Sequence, residues 1–436
     1  MGIKDLIITP VFLMILLTIA VFVKNYFSNT ATRKYFIAAL LVRFLGAIFL
    51  GFIYQFYYES GDTFIYWRHG SQWIWKSFMD NPSVGLKLLF TTEFQFESDM
   101  YFYSKHIWYY RDSASYFIVR LATIADLITL GTYSSSALLF ACFSFSGAWA
   151  MFSVLQRKYP ANTKWLAFAI LFVPSVIFWG SGILKDTVTL ASLGWIVWAL
   201  VRWFDFRIRS WKEIIAIIIG VWIILIVKIY ILLCFIPVIL IWLMFKLISK
   251  VQNQVARILV LPFIIIVVFT SGFLIVNQLG KVDERYNLSK LPKRIQITAY
   301  DIRYGWGART SGDGGYDIGL PDGTVLGTLI LSPKAVNVTL FRPYLWEVRN
   351  PLMLLSSIEA LLIMIFTIKF VFSGKLFALK NDYFLFACLM FSLLFAFAVG
   401  VSTFNFGTLM RYKIPIMPFY ITALGVISAR KQHINQ

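Results

Sequence analysis

Four stretches of this chain gather residue types that can move a proton or grip an anion. The first is Glu59-Ser60-Gly61-Asp62-Thr63, followed by Tyr66, Trp67 and Arg68. A carboxyl just beyond an apolar run can act as general base on an acceptor hydroxyl, or help hold a metal-bound phosphate. Gly61 permits a tight turn off the preceding helix. The competing reading is an Asp that caps a helix in an interfacial loop. The second stretch runs from Pro174-Ser175 through Trp179-Gly180-Ser181-Gly182 to Lys185-Asp186. Two apolar runs meet there, and a helix start beside a lysine suits an anion, because free N–H groups and the helix dipole both favour negative charge. The competing reading is a loop in which Lys185 simply pairs with Asp186.

The third stretch is a set of arginines. Arg342-Pro343 and Glu347-Val348-Arg349 precede one apolar run, and Asn405, Gly407, Thr408 and Arg411-Tyr412-Lys413 precede the last. Guanidinium forks bind phosphate bidentately, although Arg, Tyr and Trp also anchor helices at a membrane surface without any ligand. Lys228, between two apolar runs, could join this set. The fourth feature is Glu359, alone inside an apolar segment. An intramembrane carboxylate is a functional candidate by default, or the partner of a neighbouring helix.

Other chemistries find no support. His69, His106, Asp99 and Asp112 lack the spacing of a zinc site. Cys142, Cys234 and Cys388 each fall inside an apolar run and read as small core hydrophobes. There is no phosphate-cradling glycine loop, serine-nucleophile elbow or zincin pattern.

The elements that must position these residues are membrane spans. Hydrophobic residues make up 59% of the 436-residue chain, charged residues 14% and aromatics 18%. A soluble domain carries about 25% charged residues. Runs of about 20 apolar residues predict helices over 7–27, 36–57, 134–156, 164–179, 186–203, 213–229, 230–248, 258–278, 350–373, 382–400 and 412–429. This is an all-α polytopic architecture of about eleven spans by that criterion, forming a single transmembrane domain over 1–436. The first run lacks a cleavage site and reads as a retained helix.

Charge sorts the connections by side. Bare lysines and arginines fill every second loop: Arg33 and Lys34; Arg157, Lys158 and Lys164; Arg202, Arg207, Arg209 and Lys212; Lys246, Lys250 and Arg257; Lys375 and Lys380; Arg430 and Lys431. This is the positive-inside pattern, and it puts the N-terminus outside. It leaves two elaborate outer regions, 58–133 and 279–349. The first has amphipathic stretches around Trp73–Phe78 and Tyr116–Leu130, which read as interfacial helices. The second has turn signals at 305–307, 311–315 and 321–323, which suggest a small β element. The formal net charge of +19 is largely topogenic. Its remainder suits anionic lipids or a phosphate-bearing substrate rather than nucleic acid.

Together, Gly61-Asp62-Thr63 with Tyr66, Pro174 through Asp186, Leu340-Phe341-Arg342-Pro343 with Trp346-Glu347, and Asn405 through Arg411 with Pro415 resemble bacterial cell-envelope enzymes. The resemblance is to polytopic glycosyltransferases of the GT-C type and to exopolysaccharide (O-antigen-like) polymerases. It implies a GT-C-like fold in the bacterial inner membrane, multi-pass, with the active face periplasmic. It implies a polyprenyl phosphate or pyrophosphate sugar donor and a glycan or glycolipid acceptor. No cofactor is required, and a divalent metal could assist. Carried over, Asp62 is the base, with Glu59 beside it. Lys185, Arg342, Arg349, Arg411 and Lys228 hold phosphate, and Asp186, Tyr66, Asn405 and Glu359 support. The chain departs from that family in an additional early span and in offering Glu59 and Asp62 where a closer acidic pair is usual. Two other functions fit the same sequence: a transporter or flippase of lipid-linked sugars, and a non-catalytic subunit of an export complex.

Overall fold

The computed structural model describes residues 2–91, 98–249, 290–305 and 314–429, with isolated positions at 262, 266 and 270. Among these residues, seven helices are long and apolar enough to cross a membrane. They are α1 (Ile3–Phe27), α2 (Arg33–Phe56), α8 (Tyr133–Lys158), α11 (Lys185–Phe204), α12 (Trp211–Ile248), α16 (Pro351–Phe372) and α17 (Tyr383–Thr403). Shorter helices fill the connections: α3 (Asp62–Tyr66), α4 (Gln72–Asp80), α5 (Pro82–Phe90), α6 (Ser98–Ser104), α7 (Ser113–Ile128), α9 (Thr163–Leu171) and α10 (Pro174–Trp179). Later come α13 (Leu291–Tyr304), α14 (Val325–Ile330), α15 (Ser332–Phe341), α18 (Phe406–Tyr412) and α19 (Met417–Ser428). The chain forms two compact units, Met1–Ile229 and Tyr230–Gln436.

Six of the expected spans appear as continuous helices, and the departures have local causes. The 164–179 run is split into α9 and α10, because Pro174 offers no N–H and disfavours helix in the residue before it. The 213–229 and 230–248 runs join as α12, whose only non-helical residue is Lys228 (φ −150°, ψ 68°). The 412–429 run is shortened to α19, with a turn at 413–416 separating it from α18. The expected 258–278 span lies almost wholly outside the described residues.

In the first unit α8 is the central helix, packed against α1, α2, α9 and α11. Lipid tails give apolar helices no hydrophobic reason to associate, so close backbone approach between small residues supplies the attraction. The α8–α11 crossing does this with glycine. A Cβ at Gly147 would lie 2.1 Å from the Ala191 carbonyl oxygen, and one at Gly194 would lie 2.2 Å from that of Gly147.

The basic loops collect at one end of this unit. Asn29 Nδ2 donates to Gln156 (3.0 Å), Lys158 pairs with Asp205 (2.6 Å), and Trp149 Nε1 donates to the Phe27 carbonyl (3.0 Å). Opposite them, the Ser134 amide donates to Asp5 (2.8 Å) and Thr63 bonds Tyr133 (2.7 Å). The alternation inferred from charge therefore corresponds to two physical ends.

In the second unit α17 packs against α15 and α19. The Thr339 hydroxyl donates to the Ala396 carbonyl (2.8 Å), and a Cβ at Gly400 would lie 2.4 Å from the Ala335 carbonyl oxygen. The expected β element is reduced, among the described residues, to one antiparallel bridge between Gly315 and Asn405. The reason is local. Pro-Asp-Gly at 321–323 leads into a helix, because Asp322 accepts from the Thr324 amide (2.8 Å) and Thr324 caps α14 through the Gly327 amide (3.0 Å). Residues 306–313 of the other turn signals lie outside the described residues.

The glycine contact gives a first prediction. Gly147→Val should force α8 and α11 apart and cost ~3 kcal/mol, at the upper end for overpacking. The check is a lower midpoint of thermal unfolding in detergent. An unchanged midpoint would show that the crossing is not close-packed.

Candidate functional site

Asp62 is positioned by a strained turn. Glu59 adopts φ +57° and Gly61 φ +135°, and only glycine takes the second readily. A Cβ at Gly61 would also overlap the Tyr54 ring at 2.3 Å. The turn reverses the chain after α2 and starts α3 at Asp62. Phe64 then stacks on Tyr133 at 4.4 Å, docking α3 against the head of α8. Asp62 accepts a hydrogen bond from the Tyr109 hydroxyl (3.2 Å), and the buried Tyr66 ring lies 5.3 Å from that of Tyr109. Glu59 is exposed at the tip of the turn.

Tyr109 begins a turn that the Asp112 amide closes on the Tyr109 carbonyl (3.1 Å). Asp112 caps α7 through the Ser115 amide (3.2 Å) and pairs with Lys185 at 3.3 Å. Burial alone would raise the Asp112 carboxyl. The Ser115 hydroxyl and the Lys185 ammonium outweigh it and hold Asp112 below the usual carboxylate range. A single turn thus receives Asp62 at one end and Lys185 at the other. A candidate base and a candidate phosphate ligand meet on four residues.

Lys185 does not pair with its neighbour. Asp186, fully buried, bonds Lys228, whose side chain is 5% exposed. Sixteen residues along α11, Arg202 pairs with Glu213 at 2.6 Å. The two pairs lie about 24 Å apart along α11, at 1.5 Å per residue. They fix the first half of α12 antiparallel to α11 at both ends. Lys228 and Asp186 are therefore a structural clasp, and Lys228 could reach a phosphate only by releasing Asp186.

In the second unit Arg342 is already engaged. Its Nε donates to both Glu347 carboxylate oxygens at 3.0 Å and its Nη2 to one of them, while Tyr344 and Phe406 rings flank the guanidinium. Burial works against ionised Glu347, but the Arg342 fork and the Tyr344 amide hold its carboxyl below the usual range. Asn405 is a helix cap, accepting from the Thr408 amide (3.2 Å). Tyr316 ties this cap to α17, donating to the Gly400 carbonyl (2.8 Å) and accepting from the Phe404 amide (3.0 Å). Arg349 is exposed just before α16, and Arg411 is half-buried in α18. Glu359, half-buried in α16, lies within electrostatic reach of the fully buried Lys413. Lys185 and Lys228 thus belong to the first unit, and Arg342, Arg349 and Arg411 to the second.

Sequence reasoning missed three groups. Tyr109 carries no motif. Arg43 sits in an apolar run, is 1% exposed, and bonds Ser144 (3.1 Å) and the carbonyls of Val176 (3.0 Å) and Gly180 (3.1 Å). Asp126 lies in α7, where it reads as an ordinary polar-face residue. It is buried and accepts from Ser71 (2.6 Å), Gln72 (3.0 Å) and Ser136 (2.6 Å). Among the described residues no group of three or more His, Cys, Asp or Glu is arranged to hold a metal ion.

Two predictions follow from these geometries. Lys228→Met alone should cost about 3–5 kcal/mol, because it strands a buried carboxylate. Adding Asp186→Leu should restore most of that loss, read as coupling in a double-mutant cycle of thermal unfolding. Equal and additive losses would mean that the pair is not a unit. Asp126 gives a pH effect. Burial raises its carboxyl to about 6, against the opposing hydrogen bonds. Its folded value lies above the unfolded one, so the folded state holds the proton more tightly. Stability should fall by about 3 kcal/mol as pH rises from 4 to above 6. The fall should be missing from the profile of Asp126→Asn and should therefore appear in full in the difference between wild type and that variant across the range.

Comparison with protein-family models, with curated proteins and with solved structures finds no match.

Proposed function

We propose that this chain transfers a glycosyl group at the outer face of the bacterial cytoplasmic membrane. The donor is a sugar on a polyprenyl phosphate or pyrophosphate carrier, and the acceptor is a second lipid-linked glycan or another envelope glycan. The supporting observation is the Tyr109–Asp112 turn, which holds Asp62 through a 3.2 Å hydrogen bond and Lys185 through a 3.3 Å ion pair. In this reading Tyr109 orients the Asp62 carboxyl, which takes the proton of the acceptor hydroxyl. The freed oxygen attacks the anomeric carbon, and the bond from that carbon to the phosphate oxygen breaks. The electron pair leaves on the phosphate, whose charge Lys185 stabilises. The leaving group is already an anion of a fairly strong acid, so electrostatics supplies much of the catalysis. A divalent metal could assist at the phosphate but is not required.

A second reading, movement of lipid-linked sugars across the bilayer, is favoured by ionisable groups at membrane depth. Arg43 and Lys413 are both buried, and Lys413 faces Glu359. Such groups commonly mark polar paths. Asp62→Asn separates the two readings. Under the transfer reading it should lower turnover by about 10²–10⁴-fold, the usual range for general-base catalysis, while the protein still folds. Cells carrying only that variant should accumulate a short lipid-linked intermediate, read by mass spectrometry of their glycolipids. A wild-type glycolipid profile would sink the transfer reading.

A further inference from the structure

Beside the Asp62 turn, the first unit holds a cleft of about 750 Å³ that the proposed mechanism does not use. That volume falls in the range of small-molecule sites. Its walls are aromatic and come from two separate segments. Trp108 stacks on His69 with ring centroids 4.2 Å apart, and Trp73 stacks on His106 at 3.9 Å. The Trp108 amide bonds the His69 carbonyl (3.1 Å), which fixes the two segments against each other. His69 sits in a π-helical turn, Trp67–Ser71, with non-helical dihedrals of φ −102° and ψ 27°. Such irregular turns recur at functional sites because they re-aim a side chain. Here the turn places an imidazole flat behind a tryptophan. Burial and the neighbouring Arg68 hold His69 below its ordinary value, so this backing ring is neutral at pH 7.

The rim is cationic. Arg68, Lys76 and Lys105 line the cleft and are exposed, and among the described residues no acidic residue lines it. Trp108 is 64% exposed, so its face remains open although its other side is backed. A residue that merely anchors the protein in lipid needs no such backing. A rigid flat indole beside cations suits a ligand with an apolar face and acidic substituents. Pyranose rings provide this, since their axial C–H bonds meet the negative face of an aromatic quadrupole while a carboxylate reaches the cations.

We infer that the cleft lined by Trp73, Trp108, Arg68, Lys76 and Lys105 binds an acidic saccharide chain, stacking its sugar rings on tryptophan and pairing its carboxylates with the rim. That this chain is the acceptor or growing product rests on the transfer reading; the binding itself does not. The test uses the full chain in lipid nanodiscs and isothermal titration calorimetry with oligogalacturonate. A neutral maltooligosaccharide serves as comparison, and glycerol 3-phosphate stands in for a lipid headgroup. Saturable binding of oligogalacturonate is expected, at least tenfold tighter than that of the neutral chain. Trp108→Ala should weaken it by about tenfold, the effect of losing one good aromatic contact. Trp108 is largely exposed, so this variant should fold. Lys76→Gln with Lys105→Gln provides a second variant that should weaken oligogalacturonate and leave the neutral chain unaffected. The inference is overturned by an absence of saturable binding, by an affinity indifferent to both variants, or by glycerol 3-phosphate competing at equal affinity, which would mark a headgroup site. Asp62→Asn should bind oligogalacturonate as wild type does. If it does so while its glycolipid profile is also unchanged, the transfer reading fails and the saccharide site stands.

Discussion

A charge inside a bilayer has no water to turn to, and the first unit is built around that constraint. The four ionised groups that tie α11 to α12 meet as two pairs, Asp186 with Lys228 and Arg202 with Glu213. Either pair alone would leave the helices free to slide or pivot about it. Together they set direction and register, since a shift of one turn would part the fully buried carboxylates of Asp186 and Glu213 from these cations. The position of Lys185 follows directly. It is the first residue of α11, next to the clasped Asp186, so the clasp determines where its ammonium meets Asp112.

The same constraint explains the broken segment between α10 and α11. Non-helical backbone at membrane depth survives only when protein supplies its hydrogen bonds. Arg43 does this by reaching from α2 to the carbonyls of Val176 and Gly180 at the end of α10. A buried guanidinium without a carboxylate would be costly elsewhere. Here its Nη1 meets the Gly180 carbonyl at the helix end and the Val176 carbonyl, which also accepts from the Gly180 amide. In the second unit Tyr316 plays a comparable part at the end of α17, satisfying Gly400 and Phe404 together.

These devices explain what could be read from the amino-acid order. Long apolar runs and loop charges revealed most spans and the two ends of the first unit, because hydropathy and topogenic charge act locally along the chain. Pro174 and Gly180 announced a break, but not the arginine that repairs it, which lies 131 residues earlier than Pro174 within an apolar run. Asp62 was visible because it follows Gly61 after a span. Tyr109 was not, since its role depends on a meeting 47 residues away. Lys185-Asp186 read as an anion site at a helix start, with pairing between the two as the competing reading. Successive side chains on a helix point in different directions, so the two reach different partners. The turn at 321–323 was legible as a turn, but its outcome depended on Thr324 capping a helix.

The ion pairs also rank the cations by how readily a ligand could claim them. Lys228 is 5% exposed and its partner fully buried, so parting them would leave an unpaired charge in a dry interior. Arg342 is 17% exposed and held through several bonds by one carboxylate, which a phosphate would have to displace whole. Lys185 and Asp112 are 19% and 35% exposed and meet through one contact at 3.3 Å. Solvent already screens such a pair, and Asp112 keeps the Ser115 amide and hydroxyl if the lysine leaves. An ammonium can therefore swing from Asp112 to a phosphate without stranding either group. Under the proposed transfer, that asymmetry favours Lys185 over Lys228 and Arg342 as the cation to follow charge on a departing phosphate. The turn that holds Asp62 holds this lysine too.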